Sequence, residues 1–188
     1  MNEKQTQAQP AAIPVRYVRE SIERRVLLIT VQDQPGVLAR VVGVFAGRGW
    51  NIADLTVARV TSAKYEDQKD GVSRITIIVE TTNEQAEQMT NQLSRLIPVL
   101  EVEDLTTDPD KVEADVSLVK VLTDNPRLQT EIAHMAQVQY RAMSVRTRND
   151  FIVLRFVGQE KAAKDFVAAI KHFGVNVETA HSGIVAIA

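Results

Sequence analysis

The junction at Asp33-Gln34-Pro35-Gly36 constrains this chain more than any other stretch. Before it, residues 26–31 form a short continuous apolar run, as expected of a central strand buried on both faces. After it, Val37, Leu38, Val41, Val42 and Phe45 recur at helical spacing, and Gly47 and Gly49 close that helix. The chain then reverses through Gly49-Trp50-Asn51-Ile52. Leu55 and Val57 alternate with Asp54 and Thr56 in a second strand that reaches about Val60. Residues 64–70 read as an enlarged, solvated, charged loop ending in Asp70-Gly71. Ile75, Ile77 and Val79 alternate with Arg74 and Thr76 in a third strand. Asn83 is expected to cap a helix carrying Ala86, Met89, Leu93 and Leu96, which Pro98 ends. Residues 99–105 make a fourth strand. This β-α-β-β-α-β order is the split ferredoxin-like unit.

The order recurs after the polar break at residues 106–111. Residues 116–122 read as a strand and residues 127–138 as a helix. Residues 139–146 and 151–157 read as a hairpin around Asn149-Asp150. Residues 161–173 form a helix with Phe166, Ile170 and Phe173 inward and Gly174 as its cap. Residues 175–188 are strand-like, interrupted at Ser182-Gly183. The fold class expected is α+β, with two tandem ferredoxin-like βαββαβ domains over residues 25–106 and 112–188. Residues 1–24 are expected to be a disordered extension, polar and broken by Pro10 and Pro14, without the apolar stretch of a secretory signal. In the four-stranded version of this fold the second strand is an edge. Residues 52–60 are apolar with only Asp54 and Arg59 to guard them, which suggests pairing with a second copy. Cover by the other domain is the alternative.

Composition narrows the chemistry. The 188 residues include no cysteine, so there is no disulfide, thiol nucleophile or zinc-thiolate site. That is compatible with a reducing cytoplasm, the expected location. A net charge of −2 offers no electrostatic case for nucleic acid or an anionic membrane. No apolar run approaches a membrane span. His134, His172 and His181 lack metal-ligand spacing, and no nucleophile elbow, P-loop or dinucleotide fingerprint occurs. No catalytic or metal-binding residue is expected. Phe151 and Phe156 fall on opposite faces of a regular strand, unlike the paired aromatics of an RNA-binding sheet.

The Pro-Gly turn has a structural reading, in which Pro35 fixes φ, Gly36 permits a left-handed conformation and Asp33 caps locally. It also has a functional one. Free backbone N–H groups at a helix start hold a carboxylate through hydrogen bonds and the helix dipole. The split fold is expected to bring Asn51 near the helix entrance, where its amide offers donor and acceptor groups to an amino acid. That combination points to sensing a small zwitterion rather than converting one.

The run Pro35-Gly36-Val37-Leu38-Ala39-Arg40 resembles the first loop of an ACT domain, a regulatory module that binds amino acids at dimer interfaces. The continuation Gly43-Val44-Phe45, Gly49-Trp50-Asn51-Ile52 and Leu55-Thr56-Val57 is similar to one family, the regulatory small subunit of acetohydroxyacid (acetolactate) synthase. Leu118-Val119-Lys120-Val121 and Ser182-Gly183-Ile184-Val185 resemble the second domain of that family.

The resemblance implies that two first domains pair edge to edge as a homodimer holding valine, or another branched-chain amino acid, between them. It implies effector contacts at Asp33, Pro35, Gly36, Val37, Leu38, Asn51 and Ile52, with Gly36 supplying backbone contacts and Asn51 reaching from the partner side. Where the family often has Asn, this chain has Asp33. An aspartate there would pair with the ammonium, but would repel a carboxylate within about 4 Å. The family's role implies a non-catalytic subunit that activates the synthase and confers feedback inhibition. It needs no cofactor in this chain, with thiamine diphosphate, Mg and FAD in the catalytic partner. The alternative is a free-standing amino-acid sensor acting on another partner. A small enzyme on the same scaffold is disfavoured, because residues 32–36 contain no Arg for a phosphate loop.

Overall fold

A computed structural model describes residues 21–67 and 71–187; most of the expected N-terminal extension lies outside them. The first domain contains β1 (Glu23–Gln32), α1 (Val37–Arg48), β2 (Asp54–Val60), β3 (Val72–Thr81), α2 (Asn83–Leu93) and β4 (Val99–Asp104). The second contains β5 (Val112–Leu122), α3 (Pro126–Tyr140), β6 (Met143–Thr147), β7 (Phe151–Gly158), α4 (Glu160–Lys171), β8 (Asn176–His181) and β9 (Val185–Ile187). The sheets run β2-β3-β1-β4 and β6-β7-β5-β8, with β9 also paired to β5. These are two tandem ferredoxin-like units, as the pattern of apolar runs predicts. No helix among the described residues is long and apolar enough to cross a membrane.

β1 is central, and its two faces serve two cores. Leu27, Ile29 and Val31 pack with Val37, Val41 and Phe45 of α1 and with Met89 and Leu93 of α2. Val26 and Leu28, on the other face, join Ile78, Leu105, Ile184 and Ala186. The continuous apolar run of β1 thus has a specific cause: the second domain covers the sheet face that the helices leave bare. Burying each such Leu, Ile or Val side chain contributes about 1.5–3 kcal/mol. Arg24 adds a bridge between domains, its Nη2 lying 3.0 Å from Glu113 and its Nε 3.6 Å from Glu160.

Several local expectations need correction. β1 begins at Glu23, ahead of the expected boundary at residue 25, because Glu23 and Arg24 still pair with Thr81 and Glu80. Thr82 rather than Asn83 caps α2. Its extended backbone lets Oγ1 accept from the Gln85 N–H at 3.3 Å, while the Asn83 carboxamide accepts from Arg25. Gln139 and Tyr140 belong to α3, not to the hairpin. Tyr140 packs 5.1 Å from Phe166, and Arg141 ends the helix at φ 55. The loop after β2 is not simply solvated: Lys64 Nζ and Tyr65 Oη donate to Glu101 on β4 at 2.7 and 2.8 Å. Those hydrogen bonds hold the Glu101 carboxyl below its usual range.

Candidate effector site

Loop 1, between β1 and α1, is held by backbone hydrogen bonds. Gln32 N–H donates to Pro98 O at 2.8 Å and Asp33 N–H to Gly71 O at 3.1 Å. Val37 N–H then closes a turn on Gln34 O at 3.2 Å. Gly36 is the N-cap of α1 at φ 81, a left-handed conformation that favours glycine. No side chain caps the helix, and Arg40 is the residue whose N–H bonds back to Gly36 O. The amides of Leu38 and Ala39 therefore stand outside the helical ladder, at the positive end of the dipole. A Cβ built on Gly36 would meet nothing within 4 Å, so the space beside this backbone is open. Val37 is buried in the core, whereas Leu38 is exposed.

Arg59, which pattern reading treated only as an edge guard, belongs to this loop. Its Nε lies 2.8 Å from Asp33 Oδ2. The carboxylate that would have repelled an incoming anion is thus already paired with a guanidinium. No periodic signal could have found this contact, because it joins a loop to the far end of a strand through the sheet register.

Asn51 and Ile52 lie elsewhere. Asp54 pairs with Ile78, which pairs with Val26 at the start of β1. Val60 pairs with Val72, which pairs with Gln32 at the end of β1. β1 and β2 are therefore parallel, and α1 carries the chain from one end of the sheet to the other. A 12-residue helix is about 18 Å long. The expectation that one chain brings Asn51 to the α1 entrance is not met. Ile52 packs on the first core and Asn51 is exposed, both at the opposite end from Gly36.

A second polar cluster lies in the other domain, where Asp115, Ser117, His181 and Ser182 meet. His181 Nδ1 is 3.0 Å from Asp115 Oδ2 and 3.0 Å from Ser117 Oγ, and Ser117 Oγ donates to the same carboxylate oxygen at 3.1 Å. This is not a nucleophile triad. Ser117 is wholly buried and shares Nδ1 with the carboxylate, instead of facing the opposite ring nitrogen. Ser182 donates to Asp115 Oδ1 through its N–H at 3.1 Å and its hydroxyl at 3.0 Å. The cluster fastens β5 to the turn between β8 and β9. Burial pushes the Asp115 carboxyl up, and hydrogen bonds from His181, Ser182 and Ser117 outweigh it, so its pKa lies below the ordinary 3.8.

A carboxylate lowered in this way adds stability above its unfolded pKa and loses it as pH falls through the folded one. Asp115→Asn is expected to be about 1 kcal/mol less stable at neutral pH. It should also lose less stability than the parent between about pH 5 and about pH 2. Urea unfolding across that range checks this; an unchanged acid limb would show that Asp115 does not carry it.

Tandem ferredoxin-like units, the first opening on a glycine loop without a side-chain cap and ending its sheet on β2, which has no outer partner among the described residues, define a protein of the ACT-domain class. Residues 27–101 match the family described as "AHAS small subunit-like ACT domain", and residues 114–188 match "Small subunit of acetolactate synthase". The chain is 34% identical to the acetolactate synthase small subunit of Bacillus subtilis, over 88% of this chain and 90% of that one. It is 32% identical to the probable small subunit of Archaeoglobus fulgidus, over 87% and 96%. The crystal structure of the Thermotoga maritima acetolactate synthase small subunit superimposes with a TM-score of 0.73 at 24% identity, covering 88% of this chain and 97% of that one, a likeness of fold. This chain belongs to the acetolactate synthase small-subunit family.

Proposed function

We propose that this chain is a cytoplasmic, non-catalytic regulatory subunit that raises the activity of the acetohydroxyacid synthase catalytic subunit and makes it sensitive to valine. The thiamine diphosphate chemistry, with Mg and FAD, belongs to that partner. One observation carries the reading: loop 1 and Asn51 occupy opposite ends of a strand whose outer edge is free. β2 ends its sheet, and among the described residues no strand pairs with its other side. The two charges expected to guard it are engaged elsewhere, Arg59 with Asp33 and Asp54 with the Ile184 N–H.

Pairing β2 antiparallel with its copy about Val57 exchanges the ends of the two strands. Asn51 of one protomer then lies beside loop 1 of the other. The ligand carboxylate takes the amides after Gly36, and Asn51 from the partner supplies donor and acceptor groups. Leu38, Pro35 and Ile52 shape the apolar surround, Val37 anchors the loop from the core, and Arg59 neutralises Asp33. Because the site forms only when two copies meet, effector binding and dimer geometry are linked, and a coupling of about 1–3 kcal/mol suffices for partial inhibition.

Thermal unfolding of the purified chain against a panel of amino acids tests this. Valine at a hundred times its dissociation constant should stabilise by about 2.7 kcal/mol, whereas serine and lysine should not. A chain indifferent to every branched-chain amino acid, alone and with the catalytic subunit, would rule out the proposed site. Co-purification without a thiamine-dependent partner would instead favour a free-standing sensor.

A further inference from the structure

The two sheets differ on the side away from their helices. In the first domain that side is covered, since Val26, Leu28 and Ile78 pack with Ile184 and Ala186 of the second. In the second domain it is bare. Along β5, Val119 and Val121 turn to the helices and are buried, while Val116, Leu118 and Leu122 turn outward and are exposed. Strand register extends the outward set to Val157 on β7, which pairs with Val116. It reaches Met143 on β6 through Arg155, the β7 residue that pairs with both Met143 and Leu118. β9 continues the face, its Val185 and Ile187 pairing with Ala114 and Val112. Eight of the fifteen exposed large hydrophobic side chains among the described residues therefore share one face. Together they present on the order of 600 Å² of apolar surface, at the top of the range for one patch on a monomer and approaching the ~800 Å² that each partner buries in a stable complex.

Charge decides what covers this face. Its one carboxylate among the described residues of these strands, Glu178 on β8, lies 3.1 Å from Lys120 Nζ. Arg146 and Arg155 have no ion-pair partner among the described residues, and Arg155 Nη2 donates to Met143 Sδ at 3.3 Å. Arg146 pairs with Val153, two residues before Arg155 on the neighbouring strand, so the two arginines are diagonal neighbours on the same face. Arg148 and Asp150, in the β6–β7 turn, offset each other. The face thus carries two uncompensated positive charges in a chain of net charge −2. A second copy of the same face would bring four such charges together. Nucleic acid is disfavoured, because apolar side chains outnumber the cations.

We propose that this face docks the catalytic subunit, on a surface of that partner with apolar side chains at its centre and carboxylates over Arg146 and Arg155. The inference rests on the regulatory-subunit reading above, and adds to it the surface by which the second domain takes hold. Leu118, between Arg155 and Ala180 in the register, is the centre of the contact. The apolar centre supplies affinity, and the arginines set orientation and speed association.

Sedimentation of the full chain with the catalytic subunit, at low and high salt, measures binding, and thermal unfolding shows that each variant is folded. Leu118→Asp places a charge at an exposed position, leaves the core residues Val119 and Val121 alone, and should weaken binding about tenfold or more. Arg146→Glu combined with Arg155→Glu should weaken it as much at low salt and flatten its salt dependence. Arg127→Glu makes the same charge change at the start of α3, on the helical side, and should bind as the parent does. The proposal is overturned if Leu118→Asp and the double arginine variant, both folded, bind like the parent, or if Arg127→Glu weakens binding equally. A fall in the mass of free Leu118→Asp with binding unchanged would overturn it too, by assigning the face to a second copy. A parent chain that does not bind the catalytic subunit at all would remove the regulatory reading, and this role with it.

Discussion

Gly36→Val is expected to abolish inhibition by valine while leaving activation of the catalytic subunit in place. Gly36 sits at φ 81, where an L-residue costs about 1–2 kcal/mol. Its surroundings do not forbid a side chain, since a Cβ would meet nothing within 4 Å. The new methyl groups would occupy the open space where the ligand must approach the backbone, and loop 1 would relax away from the geometry that presents the Leu38 and Ala39 amides. The domain core, built on Val37, Val41 and Phe45, stays packed. Valine titrations of the reconstituted complex check this, with basal and activated rates measured in parallel. Inhibition at unchanged potency would remove loop 1 from the effector site. Gly36→Ala should give a weaker version of the same effect, because it adds less bulk at the same strained φ.

The second large effect is expected at Gly183, in the turn between β8 and β9. It has φ 82, and a Cβ there would clash with Thr56 Oγ1 and lie 3.1 Å from Asp54 Oδ1. The next residue, Ile184, donates its N–H to Asp54 Oδ2 at 2.8 Å and buries its side chain against Val26, Leu28 and Ile78. Gly183→Val must therefore push the turn off β2. The left-handed φ costs about 1–2 kcal/mol, and stranding the Asp54 carboxylate and the Ile184 N–H adds about 1–3 kcal/mol. The cores of the two domains do not include this turn, so each should stay folded while their contact opens. Denaturant unfolding should become two transitions, and the Ile184 amide should exchange faster with solvent. A single transition at the parent midpoint would contradict this account of the interface.

The same contact bears on regulation. Asp54 and Thr56 lie on β2, the strand proposed to pair across the dimer, so the second domain touches the element on which the effector site depends. Loosening that contact through Gly183 should alter the response to valine without touching loop 1, whereas Gly36→Val removes the response at its source.

Much of the fold was legible along the chain. The unbroken apolar run of β1 announced a strand buried on both faces, and both faces are covered. The helical recurrence from Val37 to Phe45 placed α1, and the alternation around Ile75 and Ile77 placed β3. Phe151 and Phe156 do fall on opposite faces of β7, and it is Phe156 that packs inward, on Phe166, with ring centroids 5.4 Å apart. Errors gathered at element ends, where one side chain decides the boundary. Thr82 took the cap from Asn83 because Arg25 engages the Asn83 amide, and Tyr140 stayed helical because Phe166 offers it a packing partner.

The sequence by itself determined which residues form strands and helices, their order, and the glycine turn at Gly36, because burial periodicity and left-handed φ are local demands on the chain. Only the tertiary structure decided that Arg59 neutralises Asp33 and that Asp54 holds Ile184 from 130 residues away. Those facts come from strand register and domain packing, which join distant segments through single hydrogen bonds and leave no repeating trace in the chain.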